Sequence, residues 1–150
     1  MRREDAFAVT PTGYVPARHL AAIGAEEPDF VAVAERFVGV PYLWGGKTSL
    51  GVDCSGLVQI ALTAAGISCP RDSDMQERAL GKAIAPDPAD LRRGDLVFWK
   101  GHVAIVRDAA MLLHANAHHM AVAIEPIAEA VRRIAAAGSA VTTVKRLQPP

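Results

Sequence analysis

The sequence lacks the features that would place it among several special classes of protein. Only two cysteines, Cys54 and Cys69, occur in 150 residues, so a disulfide framework of the kind found in small secreted domains is not expected. Basic and acidic side chains balance at 16 each, and no long run of one sign occurs. The composition therefore gives no indication of a nucleic-acid-binding surface.

Long apolar runs are also missing. No segment has the length and hydrophobicity of a transmembrane helix. The basic pair Arg2-Arg3 is followed by Glu4 and Asp5 rather than by an apolar stretch, so no secretory signal is visible. We expect a cytoplasmic protein without membrane insertion, or a periplasmic or extracellular one if the sequence is a piece of a longer chain.

Hydrophobic residues make up 51% of the sequence, which is enough to build the core of one domain at this length. Residues 1–25 contain two short β-like segments around a Pro-Thr-Gly turn, and two strands cannot bury a core alone. We therefore divide the chain into an N-terminal arm at 1–25 and a main domain at 26–150.

The main domain changes from helical to β-like patterning along the chain. Apolar residues recur at helical spacing in 28–38, 54–65, 73–80 and 126–137, and short β-rich runs occupy 95–99, 102–107, 111–115, 120–125 and 140–147. In the third helix, Ser73 and Gln76 have the spacing of a capping box. The order predicts an α+β fold in which N-terminal helices pack on an antiparallel meander sheet.

Cys54 is predicted to be the first residue of the second helix. A thiol in that position feels the positive end of the helix dipole and the free N–H groups of the first turn, which favour the reactive thiolate. Asp53, which precedes it, is a preferred N-cap residue. Taken alone, a cysteine at the start of an apolar helix is more often a small core residue.

A thiol nucleophile needs a base and a polar group that orients the base. His102 opens one predicted strand and His114 lies near the end of the next. If the two strands form a hairpin with these residues opposite each other, the rings touch. As an alternative, His114, His118 and His119 are a possible metal cluster, although adjacent histidines on a strand point to opposite faces.

Five segments in a fixed order carry a resemblance to a known family. They are Pro-Tyr-Leu-Trp-Gly-Gly at 41–46, Asp-Cys-Ser-Gly-Leu-Val at 53–58, Pro-Arg-Asp-Ser-Asp-Met-Gln at 70–76, Leu-Arg-Arg-Gly-Asp-Leu-Val-Phe-Trp at 91–99 and Gly-His-Val-Ala-Ile-Val at 101–106. Together they resemble the NlpC-type family of bacterial cell-wall cysteine peptidases, which have a papain-like fold. The arm, at 13–20, resembles the closing strand of a bacterial Src-homology-type barrel, with a simple hairpin as the alternative.

The resemblance implies roles for eight residues. Cys54 matches the nucleophile, His102 the base and His114 the orienting residue. The residues that match the substrate-binding positions are Tyr42, Asp53, Ser55, Arg71 and Ser73. In that scheme Asp53 binds the ammonium group of the substrate, Arg71 binds a carboxylate, and the backbone N–H of Cys54 with Tyr42 forms the oxyanion hole.

The implied partners are peptidoglycan stem peptides or muropeptides, and the implied reaction is hydrolysis of the γ-D-glutamyl–diamino acid bond without a metal or cofactor. Three alternatives remain open. They are N-acetylmuramoyl-L-alanine amidase activity, another acyl hydrolysis such as that of a lipid ester, and a non-catalytic cell-wall or phage-tail binding module. The absence of a signal peptide and of complete targeting barrels favours recycling of cell-wall fragments in the cytoplasm, or a truncated chain whose barrel was cut away at about residue 25. Endopeptidase and dipeptidyl-peptidase activity both stay open.

Overall fold

A six-stranded antiparallel sheet forms the centre of the structure, a computed structural model that describes residues 2–86 and 90–147. Within these ranges the strands are β1 (Arg3–Glu4), β2 (Phe7–Thr10), β3 (Gly13–Pro16), β4 (Lys47–Thr48), β5 (Gly51–Val52), β6 (Lys82–Ile84), β7 (Leu96–Trp99), β8 (His102–Val106), β9 (Met111–Asn116), β10 (Ala121–Pro126) and β11 (Val141–Arg146). The helices are α1 (Phe30–Glu35), α2 (Cys54–Ala64), α3 (Ser73–Ala79) and α4 (Ile127–Ala136). Mixed helix and sheet in this order confirms the α+β prediction.

The central sheet has the strand order β10-β9-β8-β7-β11-β6. Strands β7 to β10 form the predicted meander, because each pairs antiparallel with the next one along the chain. The last strand, β11, returns to pair with β7, and β6 forms the edge beside it. The sequence did not predict β6, since three residues are too few to show a strand period.

Side-chain alternation divides the core into two layers, one on each face of the sheet. On the first face, helices α1 and α2 cover the apolar side chains of Leu96, Phe98, Val103, Ile105, Leu113 and Ala115. On the second face, helix α4 covers Val97, Trp99, Ala104, Val106 and Leu112. None of the helices in the described ranges is long and apolar enough to cross a bilayer.

The pairing of β8 with β9 differs from the predicted register. Ile105 lies opposite Leu113 and Val106 opposite Leu112. Extended to the start of β8, this register places Asn116 across from His102, so His114 is a diagonal neighbour on the same face rather than the residue directly opposite. The error arose because the length of the β8–β9 turn was guessed, and turn length sets hairpin register.

Two helix starts also differ from the prediction. Helix α1 begins at Phe30 because the Asp29 carboxylate accepts hydrogen bonds from the N–H groups of Val31 and Ala32 at 2.9 and 3.3 Å. Ser73 is the first residue of α3 rather than its cap, and Asp72 holds the cap position without a side-chain hydrogen bond. The predicted capping box is therefore wrong.

The N-terminal arm contains a separate three-stranded sheet in the order β1-β2-β3. Strands β2 and β3 are the predicted pair, and β1, which pairs with β2, was not predicted. Of the described residues in 1–25, only Ala8 is buried. The division of the chain at residue 25, like the likeness to a Src-homology-type barrel, stays a prediction.

Candidate active site

Helix α2 places Cys54 at the edge of the core, where the residue is 8% exposed. The helix starts there because the Asp53 carboxylate accepts a hydrogen bond from the Gly56 N–H at 2.7 Å, as the sequence predicted. Asp53 also accepts from the Gly45 N–H at 2.8 Å. One carboxylate thereby fixes both the helix start and the loop that precedes it.

Burial dominates the protonation of Cys54. It raises the pKa of the thiol above its ordinary value, and the negative charge of Asp53 adds to the rise. The backbone N–H groups of Val103, Ser55 and Cys54 point at the sulfur and oppose this shift without cancelling it. Desolvation therefore outweighs the effect of the helix N-terminus, which by itself favours the thiolate.

A cleft of about 380 Å³ opens over the sulfur. Its lining residues are Tyr42, Trp44, Gly45, Asp53, Cys54, Ser55, Arg71, Asp72, Ser73 and Gly101. The structure thus brings all five predicted substrate-binding residues to the thiol. The indole of Trp44 is 83% exposed at this cleft. A larger hollow of about 560 Å³, near Phe30 and Arg93, contains no thiol among its described lining residues.

Inside the cleft, Asp53 and Arg71 bind each other. The guanidinium makes a bidentate contact with the carboxylate at 2.8 and 2.7 Å, and it also donates to the Ser55 hydroxyl at 2.9 Å. Burial acts to raise the pKa of Asp53, but Arg71 and the N–H groups of Gly56 and Gly45 together hold it below its usual value. Asp53 and Arg71 therefore form one ion pair, although the sequence assigned them to different groups of the substrate.

The two predicted histidines meet at the start of β8. Nε2 of His102 lies 2.8 Å from Nδ1 of His114, so the predicted contact between the rings holds despite the different register. The His102 ring also lies beside Trp99, with 5.6 Å between ring centroids. Burial, reinforced by the charges of His114 and Arg133, lowers the pKa of His102 to about 3. Burial also lowers the pKa of His114, although its bond to Glu125 opposes the shift.

Cys54 and His102 approach β8 from opposite faces. The cysteine belongs to the layer beneath α1 and α2, where its sulfur meets the Val103 N–H. The imidazole of His102 lies with Trp99 and His114 on the α4 side. Within the described residues, no hydrogen bond joins the sulfur to His102, whose Nε2 bonds to His114 instead. The structure thus brings together the histidine pair and, separately, the thiol and its cleft.

The order of these residues along the chain is that of a known family. The model of the NlpC/P60 family matches residues 39–136, which is more than half of the chain. The chain belongs to the NlpC/P60 family. The match covers Cys54, both histidines and every predicted cleft residue.

Curated relatives and solved structures agree with the NlpC/P60 assignment. The chain is 36% identical over 100 residues to dipeptidyl-peptidase 6 of Lysinibacillus sphaericus, covering 67% of this chain and 36% of that protein. It is 34% identical over 107 residues to the γ-D-glutamyl-L-lysine dipeptidyl-peptidase of Bacillus cereus, covering 66% and 31%. The chain therefore spans about a third of the length of these relatives. The peptidoglycan hydrolase RipB of Mycobacterium tuberculosis superposes with a TM-score of 0.67 at 29% identity, covering 95% of this chain and 74% of that one.

The sequence missed two residues of this NlpC/P60 domain that extend the polar contacts of the histidines. Nε2 of His114 lies 2.7 Å from Oε1 of Glu125 on β10, and Arg133 on α4 donates to the same oxygen. The signal was present, because Glu125 is an acid in an apolar strand. It shares a face with Ala123, which pairs with His114. This signal can be interpreted only when the pairing of β9 with β10 is known.

Gln76, which the sequence assigned to a capping box, is fully buried. Its amide donates to the carbonyls of Ser55 and Pro70, each at 2.9 Å, and so ties α3 to the start of α2. In the described residues, no three histidine, cysteine or acidic side chains are arranged to hold a metal ion.

Proposed function

We propose that this domain is a cysteine peptidase that hydrolyses peptidoglycan stem peptides, with Cys54 as nucleophile, His102 as base and His114 as the residue that orients the base. The observation that carries the proposal is the cleft itself. A buried thiol at a helix start lies on its floor with three backbone N–H groups directed at the sulfur. Such donors stabilise negative charge that develops during acyl transfer.

The pKa shifts favour general-base catalysis over a resting ion pair. Cys54 has a raised pKa and His102 a pKa of about 3, so the resting pair is a neutral thiol and a neutral imidazole at neutral pH. His102 takes the thiol proton as the sulfur attacks the carbonyl carbon. The imidazolium then protonates the departing amine, and water releases the acyl group.

This step requires His102 to come within hydrogen-bond reach of the sulfur. Catalytic hydrogen bonds are often formed only in the complex with substrate, so the separation in the free domain is compatible with the proposed role. The same separation favours one rival, a domain that binds peptidoglycan without cleaving it.

For the scissile bond we propose the γ-D-glutamyl–diamino acid linkage, since the Bacillus cereus relative is named for the γ-D-glutamyl-L-lysine bond. Tyr42, Ser55 and Ser73 line the cleft where the stem peptide would lie. An ammonium group that enters beside Asp53 has to compete with Arg71, which already occupies both carboxylate oxygens.

The test is hydrolysis of L-Ala-γ-D-Glu-meso-diaminopimelate and of its muramyl-capped form, with products identified by mass spectrometry. Cys54→Ala should lower the rate more than roughly 10³-fold, whereas Cys69→Ala, which removes the other free thiol, should leave it near that of the wild type. Cleavage at another bond would redirect the proposal to an amidase or another acyl hydrolase. Binding of the peptide with no cleavage by the wild type would establish the binding module instead.

A further inference from the structure

A continuous chain of polar contacts runs from His102 to helix α4. His102 Nε2 lies 2.8 Å from His114 Nδ1, and His114 Nε2 lies 2.7 Å from Glu125 Oε1. Arg133 donates to that same carboxylate oxygen. His114 and Glu125 are both buried, so water does not compete for these contacts, and each proton has to lie on a definite atom.

The positions of the protons on the two histidine rings follow from the chemistry of Glu125 and Arg133, where the chain of contacts ends. A guanidinium can only donate hydrogen bonds and a carboxylate can only accept them. Because Oε1 of Glu125 already accepts from Arg133, it carries no proton, and it also accepts from Nε2 of His114. Neutral His114 then carries its proton on Nε2 and has its lone pair on Nδ1. His102 must therefore donate its Nε2–H to that lone pair, which leaves Nδ1 of His102 unprotonated.

We propose that Glu125 is a positioning residue of the catalytic centre, which fixes the tautomers of both histidines so that Nδ1 of His102 is the atom that accepts the Cys54 proton. The inference rests on the proposed function, because it assigns a base to the thiol. Within the described residues, Nδ1 of His102 makes no hydrogen bond. Cys54 lies against Val103, the next residue on the same strand.

The proton balance of the step is simple. The S–H bond of Cys54 breaks, its proton goes to Nδ1 of His102, and the sulfur electron pair forms the bond to the substrate carbonyl carbon. His102 becomes an imidazolium that keeps its Nε2–H on His114. When the C–N bond of the substrate breaks, the Nδ1 proton goes to the leaving amine. Oε1 of Glu125 accepts from Nε2 of His114 throughout, so both rings keep their orientation.

Loss of the carboxylate would allow the opposite arrangement. A His114 protonated on Nδ1 would donate to Nε2 of His102, whose own proton would then occupy Nδ1. That tautomer has no lone pair for the thiol. A second histidine near Glu125, His119, does not replace His114. Its Nδ1 bonds to Asn116 at 3.0 Å and lies 4.0 Å from the carboxylate.

The decisive experiment assigns the tautomers directly in the full chain. Long-range ¹H–¹⁵N correlation spectra of histidine-labelled protein distinguish a protonated from an unprotonated ring nitrogen. In the wild type we expect the proton on Nε2 in both His102 and His114. A proton on Nδ1 of His114 in the wild type would overturn the proposal without any variant.

Variants give the second measurement. Glu125→Leu removes the acceptor, so His114 should populate the Nδ1–H form and kcat should fall about 100-fold with KM within about twofold, the low end of the contribution of a positioned general base. Glu125→Gln retains an acceptor oxygen and should keep the wild-type tautomers and at least about a tenth of kcat. The matched control is Glu129→Leu at an exposed position on α4, which should change neither quantity.

The two readouts separate this inference from the proposed function. Unchanged tautomers or unchanged kcat in Glu125→Leu would overturn the role of Glu125 even if the wild type is an active peptidase. A wild type that cleaves no stem peptide would contradict the proposed function, and the tautomer assignment would still show whether Glu125 sets the proton positions. If Glu125→Leu does not fold, the wild-type and Glu125→Gln spectra decide.

Discussion

At the scale of single residues, burial sets the charge of Cys54 and His102 more strongly than any specific contact does. Cys54 has three N–H donors, yet its pKa rises because the sulfur is desolvated. His102 lies against another polar ring, yet burial lowers its pKa to about 3. Both shifts favour the uncharged form. Cys54 and His102 therefore rest uncharged, and charge has to develop on them if the proposed proton transfer occurs when substrate excludes water.

The first prediction concerns the pH dependence of stability. An unfolded histidine has a pKa near 6.5, whereas that of folded His102 is about 3. Between these values the unfolded chain binds the proton better, so acid lowers the free energy of unfolding across that window and has no such effect above it. Relative to His102→Asn, the wild type should lose up to about 3 kcal/mol between pH 6.5 and pH 4.

Urea titrations at several pH values measure this difference. His19→Asn is the matched control, because it removes a histidine that is exposed in the N-terminal arm. A constant difference between wild type and His102→Asn across the window would show that the ring is solvated or charged in the fold.

The second prediction concerns the ion pair in the cleft. Arg71→Met leaves the Asp53 carboxylate without its guanidinium, and breaking a fully buried pair costs roughly 3–5 kcal/mol. Because 30% of the Arg71 side chain is exposed, we expect about 2 kcal/mol at pH 7. The pKa of Asp53 is lowered in the fold, so the stabilisation is present above the unfolded pKa of about 3.9 and is lost as pH falls through the folded value.

Thermal melts at pH 7 and pH 3 test this sign, and the wild type and Arg71→Met should converge in acid. Arg71→Lys should recover only part of the loss, because an ammonium cannot make the bidentate contact. Arg78→Met removes an exposed pair with Asp74 and should change the melting temperature little. Equal losses for Arg71→Met and Arg78→Met would contradict the structural role assigned to Asp53.

The sequence predicted those residues whose side-chain type is required by a cap, a nucleophile or a substrate contact. The motif around Cys54 predicted the cap, the thiol and the residues lining the cleft, and the structure places them together. It left the protonation of the Cys54 thiol open, because burial is a property of the folded molecule and not of a motif. Glu125 was not predicted for a related reason. The role of a single acid near the end of a strand depends on its neighbour, here His114, which only the pairing of β9 with β10 brings close.

At the scale of elements, helix α2 is held closely against the loop before it. A Cβ added at Gly56 would lie 2.5 Å from the Gly46 carbonyl oxygen and 2.9 Å from the Asp53 carboxylate. The backbone of the loop and the first turn of the helix therefore meet at a position where only glycine fits. This contact shapes the wall of the cleft beside Cys54.

The third prediction follows from that contact. On helix propensity alone, Gly56→Ala would stabilise by about 1 kcal/mol. We expect a net destabilisation of roughly 1–3 kcal/mol instead, since overpacking forces the loop away, together with a loss of activity. Gly101→Ala is the comparison, because nothing lies within 4 Å of the added Cβ there and only its φ of +76° opposes the change. Chemical denaturation distinguishes the two, and a stabilised Gly56→Ala would refute the close contact.

Elements with clear periodicity were predicted, and elements defined by contacts were not. Helix α2 and strands β7 to β10 lie within a residue or two of their predicted ends because their apolar positions show a period. Strands β4, β5 and β6 have only two or three residues each, which is too short for a pattern. Gln76 was assigned to a cap from local spacing, whereas its amide is used in packing α3 against α2.

At the scale of the whole molecule, strand β8 separates two halves of the candidate centre. The thiol and its cleft belong to the layer of α1 and α2, and the histidine chain ends on α4 in the other layer. The relative position of the two layers therefore sets the distance between the Cys54 thiol and the His102 ring. A change in the packing of α4 would act on His102 through Glu125 and His114 without touching the cleft.

The fourth prediction concerns the arm. Its described residues bury only Ala8, while the main core is built from residues after Asp29. Deleting residues 2–20 should therefore lower the melting temperature by less than about 4 °C, the shift that corresponds to about 1 kcal/mol in a chain of this size. Calorimetry of both chains measures it. A larger loss would show that the arm is part of the folded domain rather than an appendage.

The two tryptophans of the molecule report on its two halves by fluorescence. Trp44 is 83% exposed at the cleft over Cys54, whereas Trp99 is 2% exposed and lies beside the His102 ring. A soluble quencher should reach the first indole and leave the second emitting. A peptide that enters the cleft should shield Trp44, and a movement of His102 should alter the emission of Trp99. In a Trp44→Phe chain, the remaining tryptophan emission comes from Trp99 and therefore reports on the surroundings of His102 alone.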